Sequence, residues 1–411
     1  MYQYNSVANR HDRLSQVTGR TVLPSLDAFS FTAAGMAVLL IGSWVPDARL
    51  MLVGLPVNTV LLAVLLVMAT SGAIKRQTLI NVSVAQIPFI LLGMTLFWSP
   101  DPAYGLDKFT TLVVSGNISF LLFNTVIERH GSDELIRILL GIAFFLLVSA
   151  LIYKLIFGFF DRRVHYFMNG AIIFGRLMSI AALLAFFRYR GMKKALIVTL
   201  FVLAVLWTQS KGPVLAILAT ISIAAIYIAP RGKRAFIMLS VALIVAYIIY
   251  LSKYVFDPAY LGRLGVIFSI MAGDFDVLQS SINEGSLGIR VDMWSKSLGF
   301  IPSAPLGVGL GGWSYWMPAF SPLSYPHNIF CELWVEGGVI IGTLAIWPFV
   351  IFLFARKNMF TFIALLLLLT QLVSGDLADA RMLLTFSLLA VFSNNHAFTD
   401  GLALHNVKPL Q

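Results

Sequence analysis

The sequence predicts an all-α membrane protein, a polytopic bundle of about twelve transmembrane helices, and three observations lead there. Of 411 residues, 59% are hydrophobic and only 12% charged, against about 25% charged in soluble domains. The mean hydropathy is +0.86. Apolar stretches of about 20 residues recur along nearly the whole chain, as a helical bundle needs because backbone polar groups in lipid are satisfied within each segment. Short alternating segments, the mark of a β-barrel, do not occur.

The first 23 residues are polar, and the apolar stretch at 29–45 lacks a small-residue cleavage site, so it reads as an uncleaved first span. The expected spans are 26–45, 50–70, 79–98, 110–127, 136–157, 171–187, 195–209, 213–229, 235–256, 328–354, 360–375 and 380–393. The single cysteine, Cys331, excludes an intramolecular disulfide and a cysteine-based metal site. A net charge of +10 invites a nucleic-acid reading, but the basic residues gather in short loops between spans. Arg10, Arg13, Arg20, Lys75, Arg76, Arg129, the run Arg188/Arg190/Lys193/Lys194, then Arg231, Lys233, Arg234, Arg356 and Lys357 fall on alternate loops. That is the positive-inside pattern, which puts this side and both termini in the cytoplasm and implies no nucleic-acid partner.

On the opposite side only 252–326 is too long and polar for a turn, and loops of this length are usually functional. Residues 1–411 thus read as one membrane domain containing a loop subdomain at 252–326. Within the loop, a helix starting near Ser286 would place Arg290, Trp294 and Leu298 on one face.

The sharpest local signal is Tyr325-Pro326-His327-Asn328 followed by Glu332 and Glu336. Pro326 and Asn328 are helix-start residues, which sets His327 just outside a helix N-terminus, where the dipole favours a neutral ring able to act as a base. Asn328, Glu332 and Glu336 repeat at i, i+4, i+8 and put two carboxylates at membrane depth, where ionisable groups default to function. The alternative is that His327 caps the helix while the glutamates pair with basic residues to hold the bundle. Arg290 ahead of the run Gly307, Gly309, Gly311, Gly312 suits a diphosphate, because guanidinium grips phosphate oxygens and glycines admit close approach; the plainer reading is a solvated arginine with turn glycines. Lys211, between two apolar spans with Gly212-Pro213 behind it, snorkels or faces a polar cavity. Arg162, Arg163, His165, Arg176, Lys253 and Arg263 are weaker candidates for carrier or glycan contacts. Asp274 and Asp276 match a D-x-D pattern, but three residues match by chance easily, and neither a metal nor another cofactor is expected.

Together G-x-R-x-x-x-W, P-L-G-x-G-x-G and Y-P-H-N with E-x-x-x-E-x-G, supported by Trp98-Ser99-Pro100-Asp101, resemble the signature of the O-antigen ligase and polymerase superfamily. The resemblance implies a metal-independent, inverting glycosyltransferase with a fold akin to the C-type glycosyltransferases. Its implied donor is undecaprenyl-diphosphate-linked glycan, and its implied acceptor is a glycan or lipid A-core. A chain-length regulator is an implied protein partner, and the site faces the periplasm from the bacterial inner membrane. By the same resemblance Arg290 binds the diphosphate and His327 orients or deprotonates the acceptor hydroxyl, with Lys211 beside them. Asn328, Glu332, Glu336, Trp294, Tyr325, Arg162, Arg163 and Arg263 are the expected substrate contacts. Lys211 stands where ligases usually have arginine, keeping the charge and losing the bidentate fork. This favours a polymerase over a ligase. A transporter, the reading from another class, fits less well, because polar residues gather at one membrane face without repeats or midplane breaks.

Overall fold

The computed structural model describes residues 28–42, 51–52, 55–56, 75–157, 170–230, 232–236, 238–239, 286–316 and 325–393. Helix α1 (Ala28–Ile41) is followed by a two-residue antiparallel pairing of β1 (Met51–Leu52) with β2 (Leu55–Pro56). Helices α2 (Arg76–Ala85) and α3 (Ile87–Met94) form a bent pair at 42°. Proline at the start of α3 removes an N–H the bend leaves unbonded. α4 (Pro102–Thr110) runs through a π-helical turn, Thr111–Ser115, into α5 (Gly116–His130). Then come α6 (Ser132–Phe157), α7 (Ala171–Arg188), α8 (Gly191–Trp207) and α9 (Lys211–Ile228). The second half holds α10 (Ser286–Phe300), the single turn α11 (Trp313–Trp316), α12 (Ile329–Val350), α13 (Met359–Ser374) and α14 (Arg381–Phe392).

Helices α7, α13 and α14 form the interior. Every residue of α14 from Arg381 to Ala390 is buried, and α7 is buried almost throughout. α5 packs on α14, while α6, α8 and α9 pack around α7. The outer surface is apolar: Phe144, Phe145, Leu155, Ile156 and Phe157 on α6 and Met192, Leu196 and Leu203 on α8 are exposed. Water does not favour such a surface, and lipid does.

Among the described residues five helices are long and apolar enough to cross a membrane, and six if the bent α2–α3 pair counts as one span. The chain is therefore a multi-pass helical membrane protein. Twelve spans were expected. At the expected spans 195–209, 360–375 and 380–393 stand α8, α13 and α14, helices of 17, 16 and 12 residues that are not among those five. At 1.5 Å per residue α13 and α14 reach only about 24 and 18 Å, short of a hydrocarbon core of about 30 Å. The expected span at 50–70 begins as the β1–β2 pair, and most of it, like most of 235–256 and of the loop 252–326, lies outside the described residues.

α12 is broken at Gly338, whose φ of 72° and ψ of 179° are not helical. The break frees backbone groups that residues 305–309 take up. Val308 and Gly309 N–H donate to the Val335 and Glu336 carbonyls at 2.9 Å, and Val339 N–H donates to the Pro305 carbonyl at 3.1 Å. The far side of the same run is bonded to the α3–α4 connection, with Leu310 N–H donating to Thr95 Oγ1 at 3.0 Å and Ser99 Oγ donating to the Leu310 carbonyl at 2.7 Å. Only glycine fits this approach: Gly309 has φ +87°, and a Cβ there would sit 2.5 Å from Ser99 Cα.

Candidate functional site

The site is built around the last turn of α13. A helix end leaves its final carbonyls without intrahelical partners, and here three successive ones are met by side chains from three other elements. Asn328 Nδ2 donates to the Leu372 carbonyl at 3.1 Å, Arg290 Nη1 to Val373 at 2.8 Å and Arg176 Nη2 to Ser374 at 3.3 Å. A cation there also meets the negative end of the helix dipole. The start of α9 reaches the same turn, since a Cβ at Gly212 would lie 2.7 Å from Ser374 Oγ. Lys211, the first residue of α9 and half-buried, thus begins its helix against this turn.

His327 precedes the N-cap of α12, where the sequence predicts it. Asn328 is that cap, its Oδ1 accepting from Phe330 N–H at 2.9 Å and Cys331 N–H at 3.2 Å. His327 takes a φ of 56°, uncommon for a residue with a side chain. The turn is fixed on its other side by Trp294, whose Nε1 donates to the Pro326 carbonyl at 2.8 Å. Tyr325 packs edge-on against the imidazole with ring centres 4.3 Å apart. His327 Nδ1 is buried and has no hydrogen-bond partner. Burial first, and the nearby Arg290 second, push the imidazole down to about 4, against the opposing pull of Asp379. The ring is neutral, as expected, but loss of water leads where the helix dipole was the expected cause. Burial raises the Tyr325 phenol, so it stays protonated.

The two glutamates do not face open space. Lys108 of α4 lies between them, bonded to Glu332 and at 2.8 Å from Glu336 Oε1, and all three are buried. Glu332 Oε2 accepts Leu377 N–H at 2.9 Å, and Glu336 Oε1 accepts Trp313 N–H at 3.4 Å. The triad thereby ties α12 both to the turn at 375–380 and to α11. The pairing alternative is the one this geometry favours for Glu332 and Glu336. Lys108 was missed by the sequence reading; its signal was a lysine within a long apolar segment.

The turn at 375–380 supplies two carboxylates that sequence reasoning also missed. Asp379 lies 3.7 Å from Arg176 Nη1 and 3.8 Å from Arg381 Nη2. Asp376 Oδ1 accepts Asp379 N–H at 2.7 Å. Loss of water, reinforced by Asp379, pushes the Asp376 carboxyl up to about 6.

Two expectations need correction. The glycine run meets backbone of α12 and of the α3–α4 connection, not an open cradle, because its glycines are consumed by the break at Gly338. On α10 the buried positions among the described side chains are Gly288, Met293 and Ser297, with Arg290 and Trp294 half-buried beside them, while Leu298 is 48% exposed. On α11, Trp313 is buried and its Nε1 donates to Ser297 Oγ at 3.2 Å, leaving Tyr315 and Trp316 as the exposed rings. Arg162, Arg163 and Arg263, with His165, Lys253, Asp274 and Asp276, lie outside the described residues. Among the described residues no group of three or more His, Cys, Asp or Glu side chains is placed to hold a metal ion.

The arrangement therefore joins a neutral, half-buried imidazole to two guanidinium groups on one helix end, with the start of the helix that carries Lys211 against the same turn, and such a set can hold a phosphorylated group beside a hydroxyl. Residues 195–346, from α8 into α12, match the family model described as O-antigen ligase. The stretch is rather more than a third of the chain and contains Lys211, Arg290 and His327. No curated protein matches the chain.

Proposed function

We propose, from this membership of the O-antigen ligase superfamily, that the protein moves glycan from undecaprenyl diphosphate to an acceptor hydroxyl on the periplasmic side of the bacterial inner membrane, as an O-antigen or exopolysaccharide polymerase. The observation that carries the reading is the convergence of Arg290, Lys211 and His327 on the end of α13. Arg290 and Lys211 hold the donor diphosphate, the leaving group, by charge-assisted hydrogen bonds. His327 accepts a hydrogen bond from the acceptor hydroxyl and takes its proton as the oxygen attacks the anomeric carbon and the diphosphate departs. Binding an anion beside Arg290 offsets the smaller part of the lowering, the repulsion from Arg290 that adds to burial, and moves the imidazole toward the range where a base is effective. Inversion at the anomeric carbon follows from one direct displacement. Charge on the leaving group is met by side chains, so the reaction is metal-independent.

Lys211 in place of the arginine usual in ligases favours the polymerase, and the exposed Tyr315 and Trp316 rings suit stacking on sugars. The family's own description favours the ligase as the second reading, with lipid A-core as acceptor. Purified protein given only a lipid-linked repeat unit, in EDTA, should build a ladder of longer lipid-linked chains. A protein that makes no ladder but transfers glycan to added lipid A-core is a ligase. Activity that EDTA removes and a divalent ion restores would refute metal independence.

A further inference from the structure

One basic group at the site has no part in the reaction outlined above. Arg176, on the second turn of α7, is completely buried. Its Nη2 donates to the Ser374 carbonyl, but Nη1 lies 3.7 Å from Asp379, beyond hydrogen-bond length, and neither Nη1 nor Nε has a hydrogen-bond partner. Buried donors are almost always bonded, and leaving one unbonded costs about 1–3 kcal/mol, more when it is charged. Asp379 does not meet this need, because it is shared with Arg381, whose Nη1 is turned to the Ala378 carbonyl at 2.6 Å.

The charges around the end of α13 point the same way. Arg176 and Arg381 both draw on Asp379, with Asp376 the other carboxylate of the turn, while Arg290 lies on the neighbouring carbonyl of α13. Arg176 and Arg290 are held on adjacent carbonyls of one helical turn, with the start of α9 against it.

We infer that Arg176 is a third diphosphate-binding residue, offering Nε–H and Nη1 to phosphate oxygens of the lipid-linked donor beside Arg290 and Lys211. The inference rests on the donor class given above. Asp379 then serves as the resting counter-ion that the diphosphate supplants.

Undecaprenyl diphosphate titrated into the full chain in phosphatidylcholine nanodiscs tests it, with inorganic diphosphate as competitor to separate the phosphate group from the lipid chain. Losing hydrogen bonds to a charged group should make Arg176→Met bind the lipid at least about tenfold more weakly. Arg176→Lys should be intermediate, and inorganic diphosphate should displace the lipid less well from Arg176→Met than from wild type. Asp379→Asn should bind as tightly as wild type or more tightly, since it removes a competitor. A purely structural ion pair predicts the opposite pattern, with both variants destabilised alike and affinity unchanged. Should Arg176→Met not fold, the double variant Arg176→Met/Asp379→Asn removes both charges together, and wild-type affinity in it overturns the inference. If wild type itself binds no undecaprenyl diphosphate, the donor assignment fails and this inference falls with it.

Discussion

Lys108→Met removes the one cation that two buried carboxylates share, and its cost follows from what remains. Breaking a buried ion pair by deleting one partner costs about 3–5 kcal/mol, because the other charge stays behind in a poor solvent. Glu332 retains the Leu377 N–H and Glu336 the longer contact from Trp313 N–H, which offsets part of that loss. The expected destabilisation is therefore at the lower end, about 3 kcal/mol. Unfolding in mixed dodecyl maltoside and dodecyl sulfate, followed by far-ultraviolet circular dichroism, measures it. The triple variant Lys108→Met/Glu332→Gln/Glu336→Gln, which deletes all three charges, should recover most of the loss. A cost for Lys108→Met below about 1 kcal/mol, the scale of an exposed pair, would refute the claim that this triad holds α4, α11 and the 375–380 turn to α12.

Three further outcomes follow from the geometry. His327 is neutral above about pH 4, so its reactivity toward diethyl pyrocarbonate should fall as pH drops through that value, and Arg290→Gln should move the midpoint upward by removing a repelling charge; an unmoved midpoint would separate the two residues. Gly309→Ala should cost several kcal/mol in the same unfolding assay, because its Cβ meets Ser99 backbone at 2.5 Å and its φ is +87°; a variant as stable as wild type would show that the knot around Gly338 yields easily. In a Cys331→Ser background, a cysteine replacing Ser303 should be labelled by an impermeant reagent from the periplasmic side and one replacing Arg356 should not. The reverse pattern would invert the topology and move the site to the cytoplasm.

What the sequence made legible was local. Asn328 as a cap, His327 just outside α12 and a helix carrying Arg290 and Trp294 all follow from three- and four-residue spacings. The partners of those residues do not, because they are chosen across the fold. Lys108 meets Glu336 from 228 positions away and Arg176 meets Ser374 from 198, and no periodicity records such a pairing. A charge inside an apolar helix was the available signal for Lys108, Arg176 and Arg381, and it marks importance without naming a partner. The glycine run was misread for a related reason. Sequence shows that backbone can come close at Gly307, Gly309 and Gly311, and only the fold shows that it approaches the broken α12 and the α3–α4 connection. Segment length misled in another way: α13 is apolar but short, and it and α14 are separated by the polar turn that positions the site.

The most direct test of the account is a single-turnover transfer assay on His327→Ala, with donor affinity measured on the same preparation. Undecaprenyl-diphosphate-linked repeat unit serves as both donor and acceptor, with lipid A-core as a second acceptor. Loss of the base should slow transfer by about 10²–10⁴-fold, while undecaprenyl diphosphate still binds within a few-fold of wild type because Arg290 and Lys211 remain. Transfer within a few-fold of wild type would contradict the account and leave His327 as a packing residue at the head of α12.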